Sequence, residues 1–503
     1  MKRLFERKSL EVLMELLNED AGEHQKLHRV LGPVALTALG IGTIIGAGIF
    51  VVVGAAAHDK TGPALIVSLM VSGMACLFAA LCYAEFASMA PVAGSAYTYA
   101  YATLGEVFAW IIGWDLILEY TVASSSVAHG WSHYFQSLLE MFNIHIPEAL
   151  SRAPFDTDPL TGQMALTGTF IDLPALIISA ILTVIIVIGI KESARFNAVM
   201  VVIKLAVVLL VIGLGVFYIN PANWVPFAPY GWKGLSFFGD WAVWGAGPDG
   251  KPIGMLAGAG IMFFAYIGFD AVSTQAEEAR NPQRDVPIGI IASLIICTVL
   301  YISVAAVLTG MVPYDQINID APISDAFARV GKPWAQFVIS IGALAGITSV
   351  QMVLMLSQPR ILMAMARDGL LPKKFFGAIH PRFRTPWKST ILTGVCVGVL
   401  SAVIPLRILL ELVNIGTLLA FVIVCAAVLI MRRLRPEVER PFRCPFVPFV
   451  PIAGVLMCFM LMLALPSENW LRLMVWLAIG FVIYFAYGRH HSILAQIRAR
   501  NGE

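Results

Sequence analysis

Charge is scarce in this chain. Only 13% of its 503 residues are Asp, Glu, Lys or Arg, while 58% are hydrophobic; soluble domains carry roughly 25% charged and 45–50% apolar residues. That balance argues against a water-soluble domain and for an integral membrane protein. The net charge of +2 leaves no footprint for a polyanion, so nucleic acid is not expected as a partner. Six of the seven cysteines (Cys76, Cys82, Cys297, Cys396, Cys425 and Cys458) lie inside apolar runs. Their odd number and scattered spacing make neither a disulfide framework nor a metal signature. Walker loops, nucleophile elbows and zincin motifs are missing too, so neither an ATP-driven pump nor a membrane hydrolase is expected, and no cofactor. The first 33 residues lack the apolar core and cleavage site of a signal peptide. They read as a cytosolic tail in which residues 9–30 form an amphipathic helix on the membrane face, with Leu10, Leu13, Met14 and Leu17 on its apolar side.

What the chain has in abundance is apolar runs of spanning length. Twelve follow one another, near 34–57, 63–90, 104–138, 171–190, 196–219, 254–279, 287–311, 334–365, 387–405, 408–431, 446–465 and 468–487. Twelve crossings put both termini on one side. That side collects 25 of the 34 Lys and Arg, the other side 8, and Lys204 falls within run 5. By the positive-inside rule the termini face the cytoplasm, of a plasma-membrane protein. The outer loops 139–170 and 220–253 are too short for a catalytic domain, so no enzyme is expected; residues 231–251 carry turn signals and read as a partly ordered cap.

Within run 1, Gly40-Ile41-Gly42-Thr43-Ile44-Ile45-Gly46-Ala47-Gly48-Ile49-Phe50 holds four glycines in nine residues. Gly costs roughly 1 kcal/mol against Ala in a helix interior, and in lipid the freed N–H and C=O groups of a broken helix need protein, water or a ligand. The stretch therefore reads as an unwound segment lining a site. Run 6 repeats the anomaly: Gly254, Gly258, Gly260 and Gly268 punctuate Ile261-Met262-Phe263-Phe264-Ala265-Tyr266-Ile267-Gly268-Phe269-Asp270. Interrupted helices at matching positions five runs apart point to an inverted-repeat transporter with a midplane site. The expected architecture is an all-α membrane protein of twelve transmembrane helices, a five-plus-five inverted repeat with helices 1 and 6 broken. Its parts are a tail 1–33, a first repeat 34–219, an outer loop 220–253, a second repeat 254–431, two further helices in 432–488 and a tail 489–503.

Such a site has two complementary ends. N–H groups that open the second half of run 1, around Ala47 and Gly48, suit a carboxylate. Carbonyls that close the first half of run 6, around Phe264, Ala265 and Ile267, suit an ammonium group. A ligand with both charges on one carbon is an α-amino acid. Ionisable residues at membrane depth are functional candidates by default. Lys204, in mid-run, either exchanges protons or stays charged and ties helices together. Asp115 and Glu119 share a helix face; Glu119 either meets a cation or proton, or is a structural carboxylate. Asp270 reads as a structural acceptor near the break. His129 and His133 are spaced for a metal, but no companion ligand supports one.

Taken in order, Gly40-Ile41-Gly42 with Gly46-Ala47-Gly48-Ile49-Phe50, Tyr83-Ala84-Glu85-Phe86, Pro91-Val92-Ala93-Gly94-Ser95-Ala96-Tyr97, Phe263 to Asp270 with Glu277-Glu278 and Asn281-Pro282, and Pro359-Arg360 with Ala366-Arg367-Asp368-Gly369-Leu370 span nearly the whole chain. In these motifs it resembles the amino acid/polyamine/organocation superfamily, and within it the bacterial relatives of the cationic amino acid transporters. The resemblance implies alternating access and substrate held by amides near Ile44, Ala47 and Gly48 and by carbonyls near Phe264, Ala265 and Ile267. It also implies proton coupling, because Lys204 matches the lysine that replaces sodium in proton-coupled members, with carbonyls near Gly42 and Thr43 as its partners. Eukaryotic members of the cationic branch place a small serine where this chain has Leu354, whose bulk favours small neutral substrates such as alanine; Glu119 keeps cationic ones open. The expected function is proton-coupled symport of L-amino acids. An obligate exchanger and a non-transporting amino acid receptor are the alternatives; the short tails disfavour the receptor. Membrane lipids surround the protein, and a small membrane accessory subunit is left open.

Overall fold

The computed structural model describes residues 31–89, 95–157, 164–188, 190–236, 242–245, 247 and 252–496. The amphipathic helix of 9–30, the 91–94 part of the third motif and the end of the C-terminal tail lie outside these residues. Thirteen principal helices carry the fold: α1 Pro33–Ile44, α2 Leu65–Met89, α3 Ser95–Thr103, α4 Glu106–Glu140, α5 Leu173–Ile188, α6 Ile190–Gly215, α7 Met255–Met262, α8 Pro282–Met311, α9 Pro333–Arg367, α10 Trp387–Val403, α11 Leu406–Leu434, α12 Phe449–Leu463 and α13 Ser467–Ile483. By length and composition eight helical segments among the described residues can cross a membrane, and four shorter apolar helices (α1, α5, α10 and α12) accompany them. Each apolar run read from the sequence contains a helix among the described residues.

The all-α expectation needs one amendment. Two short antiparallel ribbons occupy the outer loops: β1 Phe155–Thr157 with β2 Met164–Leu166, and β3 Leu235–Ser236 with β4 Ala242–Trp244. The second supplies order in the Gly-rich cap, where the turn signals had argued against a helix.

Helix starts follow their local chemistry. Proline stands in the first turn of α1, α8 and α9, where its missing N–H costs nothing. The Asn281-Pro282 motif is thus the beginning of α8, whereas Pro359 of the Pro359-Arg360 motif lies inside α9. The bundle packs α4 on α9, α2 on α8 and α5 on α10. Each pair joins runs that correspond between the two halves of the chain: 3 with 8, 2 with 7, and 4 with 9. Burial ranks the segments: 83% of the Met255–Ser273 window is buried against 22% for Ser467–Gln496, so the broken helix is central and α13 peripheral. Leu471, Met474, Ile479 and Val482 of α13 are left exposed, a face suited to acyl chains. Its other face is held to α4 by stacked indoles, Trp110 on Trp114 at 5.7 Å and Trp114 on Trp476 at 4.5 Å.

Two of the sequence motifs meet at one end of the bundle. Tyr97 donates to Asp368 at 2.7 Å. Nearby, buried Glu85 accepts from Arg432 Nη2 at 2.6 Å and from the Cys444 N–H at 2.8 Å. A buried carboxylate is tolerated where a guanidinium and an N–H meet it, which explains an acid at the end of an otherwise apolar α2.

Candidate functional site

The first break is shorter than the glycine run suggested. α1 runs through Gly40 and Gly42 to Ile44, only Ile45 and Gly46 leave the helix, and winding resumes at Ala47 as a π-helical turn, Gly48–Val52. In the second, α7 tightens into a 3₁₀ turn, Phe263–Tyr266, and breaks at Ile267 and Gly268 before a further 3₁₀ stretch, Asp270–Glu278. Gly268 takes φ +110°, open to glycine and strained for other residues.

The breaks touch. A Cβ built on Gly48 would lie 2.4 Å from Ala265 Cα, so the chains approach as only a glycine allows. Thr43 Oγ1 lies 2.8 Å from the Gly40 carbonyl and 2.9 Å from that of Gly268, joining α1 to the second break. Tyr301 of α8, wholly buried, aims its hydroxyl at the Ile44 carbonyl (2.7 Å) and the Ala265 carbonyl (3.0 Å). Tyr134 of α4 donates to the Phe50 carbonyl at 2.8 Å. The carbonyls of Ile44, Ala265 and Gly268, at the breaks, thus meet side-chain hydroxyls.

Between the breaks lies a small cavity. Thr43, Ile44, Gly46, Ala47 and Gly48 form one wall, Phe264 and Ile267 another, and Ala123 and Val127 of α4 with Val350 and Leu354 of α9 close it. Apart from the Thr43 hydroxyl and backbone, the lining is apolar. Ile44, Ala47, Gly48, Phe264, Ile267 and Leu354 were anticipated there. Ala265 stands just behind, packed on Gly48 with its carbonyl toward Tyr301.

Lys204 lies outside the cavity, behind the first break and fully buried. Its Nζ donates to the Gly42 carbonyl and, at 3.0 Å, to that of Ile45. The Gly42 partner was anticipated; the second partner is the carbonyl of Ile45, where α1 ends, rather than that of Thr43.

Glu119 is not in the lining. Asp115, Glu119, Ala123 and Val127 recur every four residues on one stripe of α4; the last two face the cavity, and the carboxylates lie one and two turns further along. Asp270 Oδ2 accepts from Tyr120 at 3.0 Å, the acceptor role read from the sequence. His129 is a tie: its Nδ1 is 2.9 Å from Asp172 Oδ2 and its Nε2 2.6 Å from the Ile404 carbonyl, linking α4 to the start of α5 and the end of α10. His133 turns to another partner, Asp320, at 3.2 Å.

Sequence reasoning missed Tyr301, Ala123, Val127 and Val350. The last three are small or aliphatic residues in apolar helices and carry no signal. A tyrosine hydroxyl within the apolar run 7 was a signal available in the sequence.

Over most of its length the chain is similar to known transport proteins. A family model described as amino acid permease matches residues 31–486. A protein of Bacillus subtilis (strain 168) named methylthioribose transporter is 46% identical over 494 residues, 98% of this chain and all of that one. From the same organism, the branched-chain amino acid permease BcaP is also 46% identical over 494 residues, covering 98% of this chain and 99% of its own. The vacuolar cationic amino acid transporter 4 of Arabidopsis thaliana is 32% identical over 611 residues, 98% of this chain and 97% of its own.

Proposed function

The chain belongs to the amino acid permease family, a multi-pass membrane transport protein and not an enzyme, and from that premise we propose that it imports L-amino acids across the plasma membrane by proton-coupled symport. The observation that carries the reading is the cavity between the two breaks. N–H groups opening the helical turn at Ala47 and Gly48 stand at one side, free of intrahelical partners as at any helix start, and suit the substrate carboxylate. The carbonyls of Ile44, on the same wall, and of Ala265, just behind the cavity, both meet the Tyr301 hydroxyl and suit the substrate ammonium. The α-groups would thus be read by backbone of Ile44, Ala47, Gly48, Phe264, Ala265 and Ile267.

The side-chain end is apolar, and Leu354 narrows it. That favours small neutral substrates, alanine first, with branched-chain amino acids the natural extension given the 46% identity to a permease named for them. A basic side chain is the second reading, supported by Glu119 one turn from Ala123 on the same stripe.

Proton coupling rests on Lys204. A lysine that is wholly buried and donates to the Gly42 and Ile45 carbonyls holds the first break in place while protonated; deprotonation would remove the charge that strengthens those bonds and loosen the segment. We place both termini in the cytoplasm and read the fold as a five-plus-five repeat of twelve crossings, supported by the packing of α2 on α8, α4 on α9 and α5 on α10. Alternating access then moves the broken helices against the rest.

Uptake into proteoliposomes tests the reading. With acid outside, wild-type protein is expected to accumulate alanine without sodium, and Lys204→Arg, which keeps the ties but not the exchangeable proton, to lose accumulation against a gradient. Sodium-dependent uptake indifferent to pH would sink proton coupling. Uptake seen only with amino acid on the trans side would make the protein an exchanger, binding without flux a receptor, and methylthioribose uptake with none of amino acids would overturn the substrate class.

A further inference from the structure

From Gly369 through Leu410 the chain contains no Asp or Glu, yet the stretch that joins α9 to α10 carries Lys373, Lys374, Arg382, Arg384 and Lys388. None of the five forms an ion pair among the described residues. Lys373, Lys374, Arg382 and Arg384 are exposed, and so are two apolar side chains set among them, Phe375 and Ile379.

Side-chain ties hold this segment in a defined shape. Thr385, 1% exposed, donates to the Val187 carbonyl in the last turn of α5 at 2.9 Å. Ser389 of α10 donates to the Phe376 carbonyl at 3.2 Å, and the His380 ring accepts from the Arg382 and Phe383 N–H groups, each at 3.2 Å. Lys388 Nζ sits over the Phe375 and Trp387 rings at 5.9 and 5.6 Å, a cation–π arrangement. The Val187 and Trp387 contacts put the segment level with the end of one apolar helix and the start of another, at the depth of a membrane interface, where tryptophan concentrates.

We propose that residues 372–388 form a docking surface for anionic phospholipid, with phosphate headgroups held by the five cations and Phe375 and Ile379 seated among the acyl chains. A soluble polyanion would satisfy the cations but leave both apolar side chains in water. An anionic leaflet satisfies both. Because this segment continues α9, which supplies Val350 and Leu354 to the cavity, bound lipid would steady one wall of the transport site.

Retention of phosphatidylglycerol by the full chain, drawn from mixed phosphatidylglycerol and phosphatidylcholine bilayers and read by native mass spectrometry, tests the proposal. Wild-type protein is expected to keep phosphatidylglycerol in preference. The variant Lys373→Gln/Lys374→Gln/Arg384→Gln, which retains Arg382 and Lys388, is expected to weaken that preference on the order of fivefold for each charge removed. Arg433→Gln/Arg435→Gln, the same chemistry elsewhere, is expected to leave it unchanged. Phe375→Ser with all charges kept is expected to shorten retention. Equal retention by the triple variant and wild type overturns the surface, as does equal loss in the Arg433/Arg435 control. Displacement of lipid by glycerophosphate as effective as by phosphatidylglycerol would assign the cations to a soluble anion instead.

Discussion

Replacing Tyr301 by Phe removes one oxygen from a wholly buried ring and leaves the packing in place. That oxygen serves the carbonyls of Ile44 at 2.7 Å and Ala265 at 3.0 Å, one from each broken helix. Its single proton donates to one of them at a time. In the empty protein the variant leaves both acceptors buried without this donor, at a cost of about 1–3 kcal/mol. An ammonium group has three N–H donors and would satisfy the same two carbonyls unaided, so the penalty falls on the empty state and is largely relieved in the occupied one. Tyr301→Phe should therefore lower the thermal midpoint of the ligand-free protein while tightening apparent substrate affinity by roughly fivefold to a hundredfold. Turnover should fall, because release returns the protein to the penalised state. Thermal-shift titrations with alanine on both proteins provide the measurement. If the variant is destabilised but its ligand-induced shift matches wild type, the carbonyls are not where the ammonium binds and the reasoning fails.

Gly48→Ala would place a Cβ 2.4 Å from Ala265 Cα and should reduce uptake at least tenfold, an overlap of backbone being costly to relieve; Gly213→Ala, with open space around it, should match wild type in the same assay. Leu354→Ser shortens the residue that narrows the side-chain end and adds a hydroxyl, so inhibition of alanine uptake by arginine and lysine should strengthen severalfold, read as a fall in inhibitor constant. His129→Ala leaves Asp172 Oδ2 and the Ile404 carbonyl without their shared partner. A loss of about 1–3 kcal/mol follows from leaving buried acceptors unsatisfied, seen as a lower thermal midpoint with substrate affinity unchanged; altered affinity at normal stability would move His129 into the transport pathway.

The apolar runs and the paired glycine anomalies were legible because lipid imposes strict rules on length and on backbone satisfaction. From those rules came twelve of the thirteen helices described, α3 excepted, and the two breaks, including Ala47, Gly48, Phe264 and Ile267. What the sequence hid was the extent of the first break. Gly40 and Gly42 look like helix breakers, yet both stay helical, and only Ile45 and Gly46 depart. Glycine can mark either an unwound backbone or a close approach, and one-dimensional spacing does not tell them apart. Side-chain direction was hidden for the same reason. Glu119 and Ala123 share a stripe of α4, but which of them reaches the cavity depends on the height at which α4 crosses the breaks. The second partner of Lys204 turned on where α1 ends.

The Gly48 contact also bears on how this protein can change over generations. A clash between two side chains can be cured by shrinking the neighbour, but the atom nearest a new Cβ at position 48 is the Ala265 Cα, which every amino acid possesses. Substituting position 265 cannot make room. Residue 48 therefore has no compensating partner there, and variants of this protein are expected to diversify substrate preference through Ala123, Val127, Val350 and Leu354 while position 48 stays fixed.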